Sequence, residues 1–345
     1  MKAAVRDRYG TPDVVRIEDV ETPTPAEDQI LVRVHAASVN RADLDGIQPR
    51  PTFVRLFIGV RRPRIRRLGI DVAGTVEAVG SGVTRFQAGD RVFSDLFGQR
   101  LGAFAEYTCA PESKFEPIPD GLSFEDAATL PHSGVLALQG LRLRRGRAIK
   151  EGDEVLIVGA SGNVGPFAVQ IAKSKGAEVT GVARTSKLDF VRSLGADHVI
   201  DYTTTDFTAT GERYDWILDT DSHQSIVKVR RALKDKGVYV TLGGTTWPIL
   251  GALILGPLLS LIGGKYSGLL LWWKPFNPPD VARLGAMVVD GRVRPAIDRR
   301  FTLDQVVEAL KWVDDGRAKG KVLLSFDEPT EDAEDAEDAE STATA

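Results

Sequence analysis

A run of four apolar residues, Val155-Leu156-Ile157-Val158, leads directly into Gly159-Ala160-Ser161-Gly162-Asn163-Val164-Gly165. The spacing is Gly-x-Gly-x-x-Gly with Ala160 in the first place, set between a strand and a helix-like run from Val164 to Lys175. A glycine at 162 lets the backbone approach a pyrophosphate, and one at 165 lets the helix pack tightly on the strand. The helix start then offers free N–H groups to the anion. Ser161, Gly162, Asn163, Val164 and Gly165 are therefore candidate dinucleotide-binding residues; a purely structural turn is the alternative. One strand later, where an NAD site carries a carboxylate for the ribose 2′-hydroxyl, the chain reads Ala183-Arg184-Thr185-Ser186-Lys187. Arg184 and Lys187 could each pair with a 2′-phosphate through charge-assisted bonds. This favours NADPH over NADH, against the alternative of two solvated charges at a helix start.

The elements that must hold this turn follow from periodicity. Val155–Val158, Glu178–Ala183, His198–Ile200, Trp216–Leu218 and Val238–Val240 predict strands. Val164–Lys175 and Lys187–Leu194 predict helices between them, the alternation of a doubly wound parallel sheet. The first third reads instead as short strands and turns: Gln29–Val34 and Val72–Val79 alternate apolar and polar, and Gly89-Asp90 turns into a third run. Ser123 precedes Phe124-Glu125-Asp126 as a helix N-cap. A helix over Leu303–Asp314 and a strand over Lys321–Phe326 close the pattern. The expected organisation is α/β: a β-rich lobe over 1–124, a dinucleotide-binding lobe over 125–270 and a return to the first lobe over 271–327. An acidic tail, expected to be disordered, follows over 328–345.

Composition narrows the class. The 345 residues are 43% hydrophobic and 27% charged, enough for a sizeable core, and the net charge of −4 owes much to the tail, so nothing favours nucleic acid. Cys109 is the single cysteine, which excludes intramolecular disulfides and any multi-cysteine zinc site. The first residues lack an apolar signal region, and a reduced, cytoplasmic setting is expected.

At these residues the chain resembles the zinc-free, quinone oxidoreductase-like branch of the medium-chain dehydrogenase/reductase superfamily. The resemblance spans roughly 1–325. Besides the glycine turn it rests on Ser38-Val39-Asn40-Arg41-Ala42-Asp43, Gly69-Ile70-Asp71-Val72-Ala73-Gly74, Gly89-Asp90-Arg91-Val92, Leu130-Pro131-His132-Ser133-Gly134, Gly195 to Tyr202 and Gly320-Lys321-Val322. It implies a GroES-like β-rich lobe, a Rossmann lobe, an active cleft between them and a homodimer through the Rossmann sheet. Zinc members of the superfamily place Cys where this chain has Asn40 and a His-Glu pair where it has Ile70-Asp71. Ile70 cannot ligate a metal, so the expected chemistry is metal-free. Family positions also assign Lys187 and Tyr202 to the surroundings of the adenosine phosphate, Gly243-Gly244 to the nicotinamide loop, and Lys321 to the cleft, where an exposed strand-end lysine is the alternative. Leu136 replaces a threonine that the family carries beside the nicotinamide.

Without a Lewis acid, hydride donation to a conjugated acceptor is easier than alcohol oxidation. The expected function is NADPH-dependent reduction of a quinone or enone, with a small lipophilic electrophile as substrate. Asn40 is the catalytic candidate, its amide donating to a developing oxyanion, with a turn-capping asparagine as the alternative. No side chain stands out as a proton donor, so protonation by solvent is expected. A metal-free NADP-dependent alcohol dehydrogenase and a non-catalytic NADPH-binding sensor remain open. Two further segments stand apart: seven arginines without an acid between Arg50 and Arg67, and the stretch Trp247–Trp273 with Lys265 as its single charge. Pro248, Pro257 and Gly263-Gly264 are expected to break the second into pieces too short to span a bilayer. Both could flank the cleft mouth and rest on an anionic membrane surface.

Overall fold

The computed structural model describes residues 1–49, 55–99, 101–143, 146–270 and 273–326. The acidic tail and Arg50 to Val54 of the arginine-rich segment lie outside the described residues. In the first lobe β1 (Lys2–Val5) pairs antiparallel with β2 (Arg16–Asp19). Then come β3 (Gln29–Val39), α1 (Arg41–Ile47), α2 (Arg55–Ile58), β4 (Asp71–Val79), β5 (Arg91–Asp95), β6 (Tyr107–Pro111) and β7 (Glu116–Pro117). The run expected over Gln29–Val34 continues for five more residues, because one strand serves two partners along one edge. Its first half pairs with β6 and its second half receives the C-terminal strand, while β4 runs along its other side.

The chain crosses between lobes through one interrupted helix. Ser123 caps α3 (Phe124–Thr129), its hydroxyl accepting from the Asp126 N–H at 3.0 Å. Leu130–Gly134 then widens into a π-turn before α4 (Val135–Gly140) resumes. Pro131 lacks the N–H that a regular α-turn would use, so a local register slip is the low-cost solution.

The second lobe carries β8 (Glu154–Val158), α5 (Gly165–Lys173), β9 (Glu178–Ala183), α6 (Leu188–Ser193), β10 (His198–Asp201), β11 (Tyr214–Asp219), α7 (Ile226–Arg231), β12 (Leu233–Thr241), α8 (Thr246–Ser260) and β13 (Tyr266–Leu269). The six strands are parallel in the order β10-β9-β8-β11-β12-β13. The order reverses between β8 and β11, so the crevice that receives ligands in doubly wound sheets opens at the C-terminal ends of these two strands. Of the breaks expected in Trp247–Trp273, Pro257 makes none, since α8 runs unbroken through it, while the helix still ends at Ser260, ahead of the turn at Gly263-Gly264. The bond that Pro257 cannot make would go to Leu253, which is exposed, so water can take that carbonyl. No helix among the described residues is long and apolar enough to cross a membrane.

The return segment supplies α9 (Pro278–Val289), β14 (Ile297–Thr302), α10 (Val306–Asp314) and β15 (Lys321–Ser325). β15 completes a seven-stranded sheet in the first lobe by pairing with the second half of β3. The ends of β3, β4, β5 and β15 thus meet the C-terminal face of the parallel sheet.

Candidate active site

The glycine turn is built as its spacing requires. A side chain at Gly165 would place Cβ 2.3 Å from the Gly159 carbonyl oxygen and 2.5 Å from Ala160, so only glycine lets α5 lie against the end of β8. At Gly162 the nearest atom would be 3.5 Å away, an open face that a phosphate can approach. The first turn of α5 leaves N–H groups without intrahelical acceptors above that face. These residues fit a dinucleotide. Asn163 Nδ2 donates to the Val39 carbonyl at 3.0 Å, and the Gly320 N–H donates to the Ser161 carbonyl at 3.1 Å. The turn is therefore fastened to the ends of β3 and β15.

Those same strand ends carry a knot of buried polar groups. Asp71, at the start of β4, is fully buried and accepts from Ser38 Oγ (2.9 Å), Asn40 Nδ2 (2.9 Å) and the His132 N–H (3.0 Å). Lys321, 1% exposed, donates to Asn40 Oδ1 (2.6 Å) and Ser133 Oγ (3.0 Å) and lies 3.6 Å from Asp71. The Ser133 hydroxyl donates in turn to Asn40 Oδ1 at 3.0 Å. The lysine donates and the carboxylate accepts, which fixes the Asn40 amide with its oxygen toward Lys321 and its nitrogen toward Asp71. Burial raises the Asp71 pKa, opposed chiefly by Lys321; burial lowers the Lys321 pKa, opposed chiefly by Asp71. Nearby, Asp43 accepts from the Asn40 N–H at 2.9 Å, and burial pushes its carboxyl up to about 7.

Two sequence expectations, for Asn40 and Lys187, change, and for Lys321 the alternative falls. Asn40 is 1% exposed and donates to Asp71 and to the Ser38 carbonyl (3.2 Å), so its amide is not free to donate to a substrate. The buried carboxylate of Asp71, whose partner the sequence did not reveal, claims that donor. Lys321 is no exposed strand-end lysine, because β15 inserts beside β3 and carries it inside. Lys187 is buried, and its ammonium is held by the carbonyls of Gly316 (2.8 Å) and Ala318, which tie the end of β9 to the return segment. Burial, and then the nearby Arg184, lower its pKa.

Arg184 is exposed at the end of β9, as a phosphate ligand would need. β9 itself ends without an acid, but Asp201 arrives from β10 and is bound by the Thr185 and Thr203 hydroxyls. Tyr202, 54% exposed, follows it. The loop after β12 brings Gly243 and Gly244 against β11. Gly244 adopts φ +134°, and a Cβ there would lie 2.3 Å from the Ser222 backbone, so glycine is needed for the approach. Leu136 lies partly buried against the main core.

Sequence reasoning missed the pair formed by His132 and Asp95, whose Nδ1 and Oδ2 are 3.0 Å apart. His132 stood in a motif without assigned chemistry, and Asp95 carried no local signal. Among the described residues no group of three His, Cys, Asp or Glu could hold a metal ion. Cys109 is half-buried in β6, donating to Gln29 Oε1 at 3.3 Å.

Comparison with known proteins agrees with this architecture. Residues 26–120 match the alcohol dehydrogenase GroES-like domain family, and residues 194–324 the family described as zinc-binding dehydrogenase. The chain is 31% identical over 335 residues to a 2-methylene-furan-3-one reductase of Solanum lycopersicum, covering 94% of this chain and 79% of the relative. It is 30% identical, with the same coverage, to a chloroplastic NADPH-dependent alkenal/one oxidoreductase of Arabidopsis thaliana. The solved quinone oxidoreductase of Coxiella burnetii superposes with a TM-score of 0.81 at 30% identity, covering 95% of this chain and 99% of that one. The chain belongs to the medium-chain dehydrogenase/reductase superfamily, in the branch of the quinone and enone oxidoreductases.

Proposed function

We propose that this protein is an NADPH-dependent, zinc-independent reductase that transfers a hydride to a quinone or an α,β-unsaturated carbonyl. One observation carries the reading: the glycine turn is fastened to the strand ends that hold Asn40 and Lys321, so a dinucleotide seated there points into the cleft between lobes. Bound NADPH would supply the hydride. Ser161 to Gly165 would hold its pyrophosphate, Arg184 its 2′-phosphate, Tyr202 the adenosine side, and Gly243-Gly244 the nicotinamide side. Asn40 and Lys321, locked to Asp71, shape the floor of the cleft rather than donate from it. The curated relatives' own names, an NADPH-dependent alkenal/one oxidoreductase and a furanone reductase, support both cofactor and acceptor class. The decisive experiment follows absorbance at 340 nm with NADPH and a panel of quinones and enones. Oxidation by at least one class is expected; tight NADPH binding without oxidation by any would refute the reductase.

The same reading assigns a homodimer through the edge strand β13, beside which Leu258, Leu261 and Ile262 stand exposed. It also assigns a peripheral contact with anionic lipid to exposed Arg61, Arg62 and Arg64 beside exposed Leu56 and Val60. Light scattering tests the dimer. Co-sedimentation with anionic against neutral vesicles tests the lipid contact, and equal recovery with both would rule it out. The expected compartment is the cytoplasm.

A further inference from the structure

Reduction of a conjugated carbonyl needs a proton as well as a hydride, and the sequence pointed to solvent as its source. The π-turn offers another. His132 lies in it with its backbone N–H on Asp71 and its Nδ1 on Asp95, a carboxylate that is itself buried. Both anchors hold the ring in place. The remaining nitrogen, Nε2, has no protein partner among the described residues and is not among the sealed polar atoms. A carboxylate that orients one imidazole nitrogen while the other stays available is the arrangement of a general acid or base.

The surroundings suit a planar acceptor. The His132 ring lies 5.7 Å from Phe97 and 5.2 Å, edge-on, from Trp273, whose own centroids are 5.1 Å apart. Phe97 follows β5 in the first lobe and Trp273 follows β13 in the second, so the aromatic wall is built by both sides of the cleft. Trp273 Nε1 is buried and has no acceptor among the described residues.

We propose that His132, oriented by Asp95, is the general acid that protonates the reduced acceptor. The inference rests on the reductase reading. The enone β-carbon gains a hydride, its C=C electron pair moves toward the carbonyl and an enolate forms. The Nε2–H bond then breaks and its proton passes to the enolate oxygen, giving an enol that tautomerises to the saturated ketone. The neutral imidazole recovers a proton from water. The two electrons come from NADPH alone. Burial disfavours the imidazolium, but Asp95 and then Asp71 outweigh burial and the opposing Lys321, raising the His132 pKa above its ordinary value. The charged groups facing His132 are Asp95 from β5, Asp71 from β4, Lys321 from β15 and Asp43 from α1. Enone reduction should therefore fall as pH rises through a value above about 6.5.

The test compares wild type with His132→Gln on an enone and a quinone. A quinone accepts hydride to give a hydroquinone anion that persists in water, so it depends less on an acid. Expected is a loss of about 10²–10⁴ in kcat for the enone, disappearance of the alkaline limb, and a much smaller loss for the quinone. NMR titration of His132 in the intact wild-type chain gives a readout independent of turnover and of the variant's folding. It should titrate above about 6.5, and lower in Asp95→Asn. Unchanged enone turnover in His132→Gln with its alkaline limb intact, or titration of His132 at or below the ordinary value, would overturn the acid role and leave the reductase standing. A wild-type chain that reduces neither acceptor overturns the reductase reading, and the acid falls with it.

Discussion

The two halves of the cleft are made in opposite ways. The glycine turn takes seven consecutive residues from one strand–helix junction, and backbone does most of the work. The polar knot draws Ser38 and Asn40 from the β3 end, Asp71 from β4, Ser133 from the π-turn and Lys321 from β15, with 281 positions between Asn40 and Lys321. A site made of backbone depends on what is absent, namely a Cβ at two glycines. A site made of buried side chains depends on each partner being present, because a charge left alone there has no water to fall back on.

The largest effect should come from the knot. Lys321→Met leaves Asp71 buried without its cation and should cost about 3–5 kcal/mol of stability, read as a drop in Tm. The loss should shrink at acid pH, where Asp71, its pKa already raised, takes up a proton. A Tm within a degree of wild type would mean that the pair is no structural support. In the turn, Gly165→Ala forces a Cβ into backbone and should cost about 1–3 kcal/mol. Gly162→Ala, with open space before it, should leave Tm unchanged and weaken NADPH binding alone. If both variants behave alike, the distinction between packing glycine and approach glycine is wrong.

Smaller effects sharpen the contrast at its edges. Arg184→Asp should lower NADPH affinity by about 1.5–3 kcal/mol, the worth of hydrogen bonds to a charged group, and move preference toward NADH in paired fluorescence titrations. Unchanged selectivity would show that the 2′-phosphate is read elsewhere. Ser123→Ala removes one N-cap bond far from either region and should cost about 1 kcal/mol by denaturant melt, with no change in NADPH affinity.

The same contrast explains what could be read from the chain. The turn was legible because Gly162 and Gly165 signal through local spacing, and strands such as Glu178–Ala183 signal through composition. Ser123 likewise marked the start of α3. Lys321 and Asn40 were visible as candidates, but not as partners, because only the insertion of β15 beside β3 brings them together. Lys187 misled for the same reason: its ammonium answers to carbonyls at 316 and 318, in a segment that periodicity could not place. Asp95 gave no signal at all, since an acid at a strand end reads as a solvated turn. The unbroken α8 escaped because Pro257 counts against a helix until one sees that its side of the helix is wet.

The widened turn at Leu130–Gly134 also sets the phase of everything after it. One residue in an α-helix is worth about 100° of rotation, so healing the slip by deleting a single residue would leave a longer, regular helix that presents a different stripe to the core. Val135, Ala137 and Leu138 would swing away from their buried seats, and Gln139 would lose Asp280 and the Lys274 carbonyl. The irregular turn thus works as a spacer, keeping one helix in register with two lobes at once.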